Sequence, residues 1–171
     1  MRTYTLLKFL RKKIMSTQQW ARYIGVNIGT DNLVDKDCWS SEPYLITIGS
    51  HCQLVGCKIF THGGANCIRS EYPDFDCFGK VVIVDWVYIG TNSLIMPGVT
   101  IGNNVLIAAG SVVTKSVPDR VVVAGNPARI ICTIDEYYER NEKYDLASKS
   151  LDAKKKKWLL CNTPDRKFIK K

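Results

Sequence analysis

Between Ile83 and Pro118, six consecutive hexapeptides carry an aliphatic residue at the same place: Ile83, Ile89, Ile95, Ile101, Ile107 and Val113. The fifth position of each is also restricted, to Val87, Ser93, Val99, Val105, Ser111 and Val117, all small or β-branched. Gly and Asn fill many of the remaining slots, as in Ile89-Gly90-Thr91-Asn92 and Ile101-Gly102-Asn103-Asn104. A helix would repeat every 3.6 residues and a lone strand every two, so a period of six fits neither. Six residues make a short strand and a corner. Self-similarity at such a short period is the mark of a solenoid. The aliphatic residue points inward, and Gly or Asn supplies the positive φ that corners need. Three hexapeptides per coil give a triangular prism: an all-β solenoid with three parallel sheets around one aliphatic column.

The pattern divides the chain. Residues 1–20 read as a basic amphipathic helix that covers the open end of the solenoid, whose unpaired strand edges would otherwise invite association. Residues 21–131 read as the hexapeptide β-helix. It begins at Ile24-Gly25-Val26-Asn27-Ile28-Gly29, is irregular from Asp35 to Tyr44, and resumes with Ile48, Leu54 and Phe60 six apart. The rhythm then stops: Thr61 to Lys80 is Gly-rich, polar and aromatic, with an extended loop expected over 63–80. Insertions of this size in a compact repeat are usually functional or disordered. Gly125-Asn126-Pro127 ends the repeat. Thr133 and Glu136 have capping-box spacing, so 132–158 reads as a helical region, starting at Ile134 and resuming near Leu151. Residues 159–171 read as a weakly ordered basic tail.

Composition narrows the class. The 171 residues are 46% hydrophobic and 23% charged, as in a soluble globular chain, and no apolar run reaches the length of a membrane span. The N-terminal segment lacks the apolar core and small-residue cleavage site of a signal peptide. Seven cysteines, without an export signal, point to free thiols and a cytoplasmic location. The net charge of +8 favours anionic ligands. Much of it lies at the two ends, and the basic N-terminus leaves peripheral membrane contact open. No aromatic–basic interleaving supports nucleic-acid binding.

The chain has two histidines, His51 and His62. His51 lies in Gly49-Ser50-His51-Cys52, at a corner of a regular repeat. His62 stands where the regular coil gives way to the insertion, next to Gly63 and Gly64. Loops on a rigid scaffold collect catalytic groups, and imidazole can accept a proton from a hydroxyl near neutral pH. A β-helix carbonic anhydrase would need three histidines around a metal. Cys52, Cys57, Cys67 and Cys77 match no standard zinc spacing. No metal is expected.

The run from Tyr88 to Lys115, followed by Val123-Ala124-Gly125-Asn126-Pro127-Ala128-Arg129, resembles the bacterial hexapeptide-repeat acyltransferases. Within them it is most similar to sugar O-acetyltransferases: the galactoside, maltose and polysaccharide-biosynthesis enzymes. The resemblance spans about Ile24 to Ile131. It implies a left-handed parallel β-helix, a homotrimer with active sites between subunits, acetyl-CoA as acyl donor and a sugar or glycan acceptor. Phe60-Thr61-His62-Gly63-Gly64 matches the place of the family's catalytic base, which implies that role for His62. Glu71, Asp74 and Asp76 are loop acids able to orient its other nitrogen, with Asp76 preferred. On the CoA side the resemblance implies contacts from Thr91, Ala109, Thr114, Lys115 and Arg129. Glu42 and Tyr44, in Ser41-Glu42-Pro43-Tyr44, and the loop residue Asp74 are expected at the acceptor wall by position. Two departures stand out. Cys132 replaces a second basic residue, and Gly63-Gly64-Ala65-Asn66 replaces a His-rich stretch of the galactoside enzymes. The alternatives are N-acetylation of an amino-sugar nucleotide and a non-catalytic trimeric scaffold.

Overall fold

The computed structural model describes residues 2–170, in two compact units, Met1–Ile134 and Asp135–Lys171. The first opens with helices α1 (Arg2–Ile14) and α2 (Thr17–Tyr23). The single helix expected over 1–20 is therefore broken. Ser16 starts a new one: its hydroxyl accepts the Gln19 N–H at 3.2 Å while its own N–H donates to Gln19 Oε1 at 2.9 Å. This reciprocal pairing satisfies two otherwise orphaned donors.

Short strands follow: β1 (Asn27–Ile28), β2 (Leu33–Val34), β3 (Ile46–Ile48), β4 (Gln53–Leu54), β5 (Lys58–Ile59) and β6 (Val81–Ile83). They continue with β7 (Tyr88–Ile89), β8 (Leu94–Ile95), β9 (Thr100–Ile101), β10 (Leu106–Ile107), β11 (Val112–Val113), β12 (Val121–Gly125) and β13 (Ala128–Thr133). One sheet orders β1-β3-β6-β9, a second β13-β12-β10-β7-β4-β2, a third β11-β8-β5. From β3 to β11 the chain thus visits the three sheets in rotation, and all pairings between coils are parallel. That is a β-helix.

The register gives the coil length. Leu106 pairs with Tyr88, Val112 with Leu94 and Thr100 with Val82, each eighteen residues earlier. The first coil is longer: Asn27 pairs with Thr47 and Leu33 with Gln53, twenty residues apart. Across the insertion the spacing grows to thirty-five, as from Thr47 to Val82.

Ile83, Ile89, Ile95, Ile101, Ile107 and Val113 are all at most 1% exposed, and Val87, Ser93, Val99, Val105 and Ser111 at most 2%. Two inward positions per hexapeptide therefore build the core. Each Ile buries enough apolar area to stabilise by about 1.5–3 kcal/mol. Ser93 and Ser111 satisfy their buried hydroxyls on the same carbonyl, Ala108 O, at 3.0 and 2.6 Å.

The spacing of six also fails at the corner after Leu54. The buried partner of Ile95 is Ile59, not Phe60, which is half-buried. The corner after Leu54 is one residue short, because Gly56 turns it at φ +68°; a Cβ there would meet Thr91 Cγ2 at 2.8 Å. A different corner uses no glycine at all. Asp31, His51, Trp86, Asn104 and Arg120 all sit at φ between +53° and +60°. The N–H groups of the last four donate to the coil before, on Thr30, Ser50, Asp85 and Asn103 carbonyls at 2.9–3.0 Å. Left-handed backbone costs a non-glycine residue about 1–2 kcal/mol, and this ladder offsets it.

At the N-terminal end, α2 packs on β1 and β2. Trp20 and Ala21 are buried, the Trp20 indole donates to Lys36 O at 3.2 Å, and Arg22 donates to the Ile28 and Gly29 carbonyls. At the other end, β13 folds back antiparallel along β12, which covers the edge of the second sheet.

The second unit holds most of α3 (Ile134–Asn141) and all of α4 (Ala153–Asn162). The carboxylate of Asp152 caps α4 by accepting the Lys155 N–H at 2.9 Å. This helix extends beyond 158 into the segment read from sequence as a tail, and a short 3-10 turn follows at Asp165–Lys167.

Candidate active site

The insertion leaves the solenoid after β5. Its base is closed by an antiparallel bridge between His62 and Phe78, and Gly63 N–H donates to Cys77 O at 2.9 Å. His62 is therefore held on a hinge of strand-like backbone rather than on a free loop. Of the loop residues from Gly63 to Gly79, Ala65 is buried, at 4% exposure, and most of the others are exposed.

Glu42 meets His62 here. Its Oε2 lies 2.8 Å from His62 Nδ1 and accepts the Thr61 hydroxyl at 2.8 Å. Coil arithmetic explains the meeting. The first coil is twenty residues long, so residue 42 sits beneath residue 62, on the same side of the prism. The short 3-10 turn Pro43–Leu45 follows at once and returns the chain to β3.

The hydrogen bond to His62, with help from the Thr61 and Ser41 side chains, outweighs desolvation and holds the Glu42 carboxyl at about 2, well below the usual carboxylate range. Glu42 is therefore ionised at neutral pH and can only accept. Nδ1 must be the donor, which leaves Nε2 as the basic nitrogen of neutral imidazole. No described residue bonds Nε2. His62 and Glu42 border a cavity of about 480 Å³ with Ser41, Asn66, Arg69 and Phe78.

Two sequence expectations need correction. Asp76 does not orient the imidazole. It borders the same cavity, but its carboxylate pairs with Arg69 at 3.5 Å and caps the Cys77 N–H at 3.0 Å. The loop ties its own acids down, whereas coil stacking brings Glu42 up from below. Among the three residues expected at the acceptor wall, Glu42 borders the His62 cavity, but as the partner of the base. Tyr44 is 68% exposed and borders a separate cavity with Lys8, Tyr23 and Ser41. Asp74 is exposed and does not line the His62 cavity. His51 is a corner residue, its ring stacked on Trp86 with centroids 4.2 Å apart.

The residues matched to the CoA side gather on later coils. Thr91 and Ala109 occupy the same place in successive coils, and Gly110 N–H donates to Thr91 O at 2.9 Å. The backbone at Ala109 runs so close to Gly90 that a Cβ on Gly90 would stand 2.4 Å from Ala109 N. Thr114 is exposed at the end of β11. Lys115 and Arg129 border one cavity of about 380 Å³ with Val113, Val117, Val123 and Ile130. Cys132 lies buried on β13, at 8% exposure. Among the described residues, no three His, Cys, Asp or Glu side chains stand together as a metal site would need.

Comparison with known proteins agrees with this architecture. The sequence pattern of the bacterial transferase hexapeptide family (six repeats) matches residues 80–115. Protein CapG of Staphylococcus aureus is 43% identical over 161 residues, covering 91% of this chain and 92% of that protein. The chain belongs to the bacterial hexapeptide-repeat transferases. The galactoside O-acetyltransferase of Escherichia coli is 45% identical over 127 residues, 70% of this chain and 62% of that enzyme. Among solved structures, a hexapeptide-repeat acetyltransferase of Vibrio cholerae complexed with acetyl coenzyme A aligns with a TM-score of 0.57 at 24% identity. The alignment covers 75% of this chain and 84% of that one, a likeness of fold. Within the family, then, this chain is a transferase whose regular coils carry the family pattern and whose candidate base stands where the insertion leaves the solenoid. No described helix is long and apolar enough to cross a membrane.

Proposed function

We propose that this transferase moves an acetyl group from acetyl-CoA to a sugar hydroxyl, on a polysaccharide or its precursor, with His62 as general base. One observation carries the reading: His62 Nδ1 is engaged at 2.8 Å by an ionised Glu42, which leaves Nε2 basic at the wall of a cavity. Nε2 takes the proton of the acceptor hydroxyl as its oxygen attacks the thioester carbon. Neutral imidazole is too weak a base to ionise an alcohol beforehand, so removal accompanies attack and both substrates must be held in line. The new C–O bond forms, the tetrahedral oxyanion takes a backbone N–H donor, and the C–S bond breaks. The proton on Nε2 passes to the departing sulfur. Glu42 is a positioning residue in this scheme: it fixes the tautomer and steadies the imidazolium.

On the donor side, Thr91 and Ala109 line the path of the pantetheine arm along one corner, and Thr114 extends it. Lys115 and Arg129 take the nucleotide phosphates, as cations suited to them. The coils wind left-handed and the enzyme is a cytoplasmic homotrimer. Exposed Leu33, Trp86 and Tyr88 offer apolar area for contact between subunits.

The test is thiol release from acetyl-CoA across sugars, sugar nucleotides and glycolipid analogues, with wild type against His62→Ala. Turnover in the variant near the wild-type rate would remove His62 as base. A product acetylated on nitrogen would replace the hydroxyl by an amine as acceptor.

A further inference from the structure

Beside the His62 cavity lies a second one of about 350 Å³ whose wall is basic. Lys8 of α1, Lys36 beyond β2 and Lys58 of β5 border it, with Asp37 the one acid among the lining residues. That acid is already engaged by Lys12 in an ion pair, so the three lysines face the cavity without an opposing charge of their own. Lys36 and Lys58 each donate to one backbone carbonyl, Lys12 O and Asp37 O. An ammonium has three donors, so each retains donors for a ligand. Trp39 borders the same cavity, and its buried indole Nε1–H has no acceptor among the described residues. Buried donors are seldom left unpaired, and each one costs about 1–3 kcal/mol. Three cations without an opposing charge favour an anion with several oxygens.

The two cavities share a wall. Ser41 borders both, and Ser40, which borders the basic one, places its Oγ 3.4 Å from His62 Nδ1. The lysines thus lie across the Ser40-Ser41 segment from His62, on the side a group carried by the sugar would have to reach.

We propose that Lys8, Lys36 and Lys58 form a diphosphate subsite, so that the acceptor is a sugar carried on a diphosphate rather than a free sugar. This rests on the acetyl-transfer reading for the sugar half alone. The anion subsite stands on its own geometry. A sugar nucleotide and a lipid diphosphate sugar present the same chemistry here.

Two measurements on the full chain test it. The first is acylation footprinting of lysines, read by peptide mass, with inorganic pyrophosphate as probe. Lys8, Lys36 and Lys58 should be protected several-fold, and separately from Lys115, where CoA phosphates are proposed to bind. No protection at these three lysines overturns the subsite whatever the enzyme turns over. The second compares a UDP-hexose, a farnesyl-diphosphate hexose and a methyl hexoside as acceptors. The diphosphate acceptors should have kcat/KM at least about tenfold above the methyl hexoside. That advantage should collapse in Lys8→Gln/Lys58→Gln and return in Lys8→Arg/Lys58→Arg. An equal kcat/KM for the methyl hexoside overturns the proposal. Preference between the two diphosphates identifies the carrier. If no acceptor is acetylated while footprinting shows protection, the acetyl-transfer reading fails and the anion site survives.

Discussion

The coils from Val81 to Val117 and the insertion from Thr61 to Lys80 are built on opposite terms. In the coils every sixth residue is the same buried aliphatic, and no single coil is special. In the insertion little is buried, and no position repeats. The candidate base and its carboxylate partner sit where these two regimes meet. His62 stands on the last residues of regular coil, held by the loop bridge to Phe78, and Glu42 comes from the twenty-residue first coil, two residues longer than the regular eighteen. A repeat supplies rigidity, and each departure from it supplies a side chain in a place no other coil offers.

The largest effect that tests this contrast is catalytic. His62→Ala should lower kcat by about 10²–10⁴-fold with little change in thermal stability, because the side chain is 41% exposed. A stability loss as large as that of a core variant would mean that His62 belongs to the scaffold.

Next come paired truncations. Ile89→Ala should cost about 2–5 kcal/mol in denaturant unfolding, since it empties a fully buried place in the column. Tyr72→Ala, in the insertion and 60% exposed, should stay within about 0.5 kcal/mol. Equal costs would erase the difference between the two regions.

Glycine substitutions sharpen it further. Gly90→Ala drives a Cβ to 2.4 Å from Ala109 N and should destabilise by about 1–3 kcal/mol through overpacking. Gly64→Ala meets no atom within 4 Å and should be near neutral by the same measurement.

The smallest effect is a pH dependence. The folded-state value of Glu42 is depressed to about 2 from an ordinary 4.5. Its contribution to stability is therefore present above about pH 4.5 and is lost as pH falls towards 2. The Glu42–His62 pair is partly exposed, which weakens it. Glu42→Gln should flatten the fall in urea midpoint between those values relative to wild type. An unchanged acid limb would mean that the carboxylate is not held by His62.

Much of this was legible in the residues. The spacing of six specifies three sheets because only a strand-and-corner unit stacks with that period, and the break at Thr61 pointed to His62. Phe60 misled, because a glycine corner removes one residue between Leu54 and Ile59 and the count of six does not register it. Glu42 was expected at the acceptor wall, and its pairing with His62 was missed. Its signal was present, in the twenty-residue offset between Asn27-Ile28 and Thr47-Ile48, but that offset becomes a distance only when coils are stacked.

The sequence alone thus determined the solenoid and most of its core positions, which follow from local periodicity, while His62 was singled out by its place at the break and by the resemblance to the family. Tertiary structure alone decided which acid holds His62, that Asp76 belongs to Arg69, and that three lysines from α1, the first coil and the second share one cavity. Those are meetings between residues far apart in sequence. They depend on the length of each coil and on where α1 comes to rest, and no short-range pattern records either.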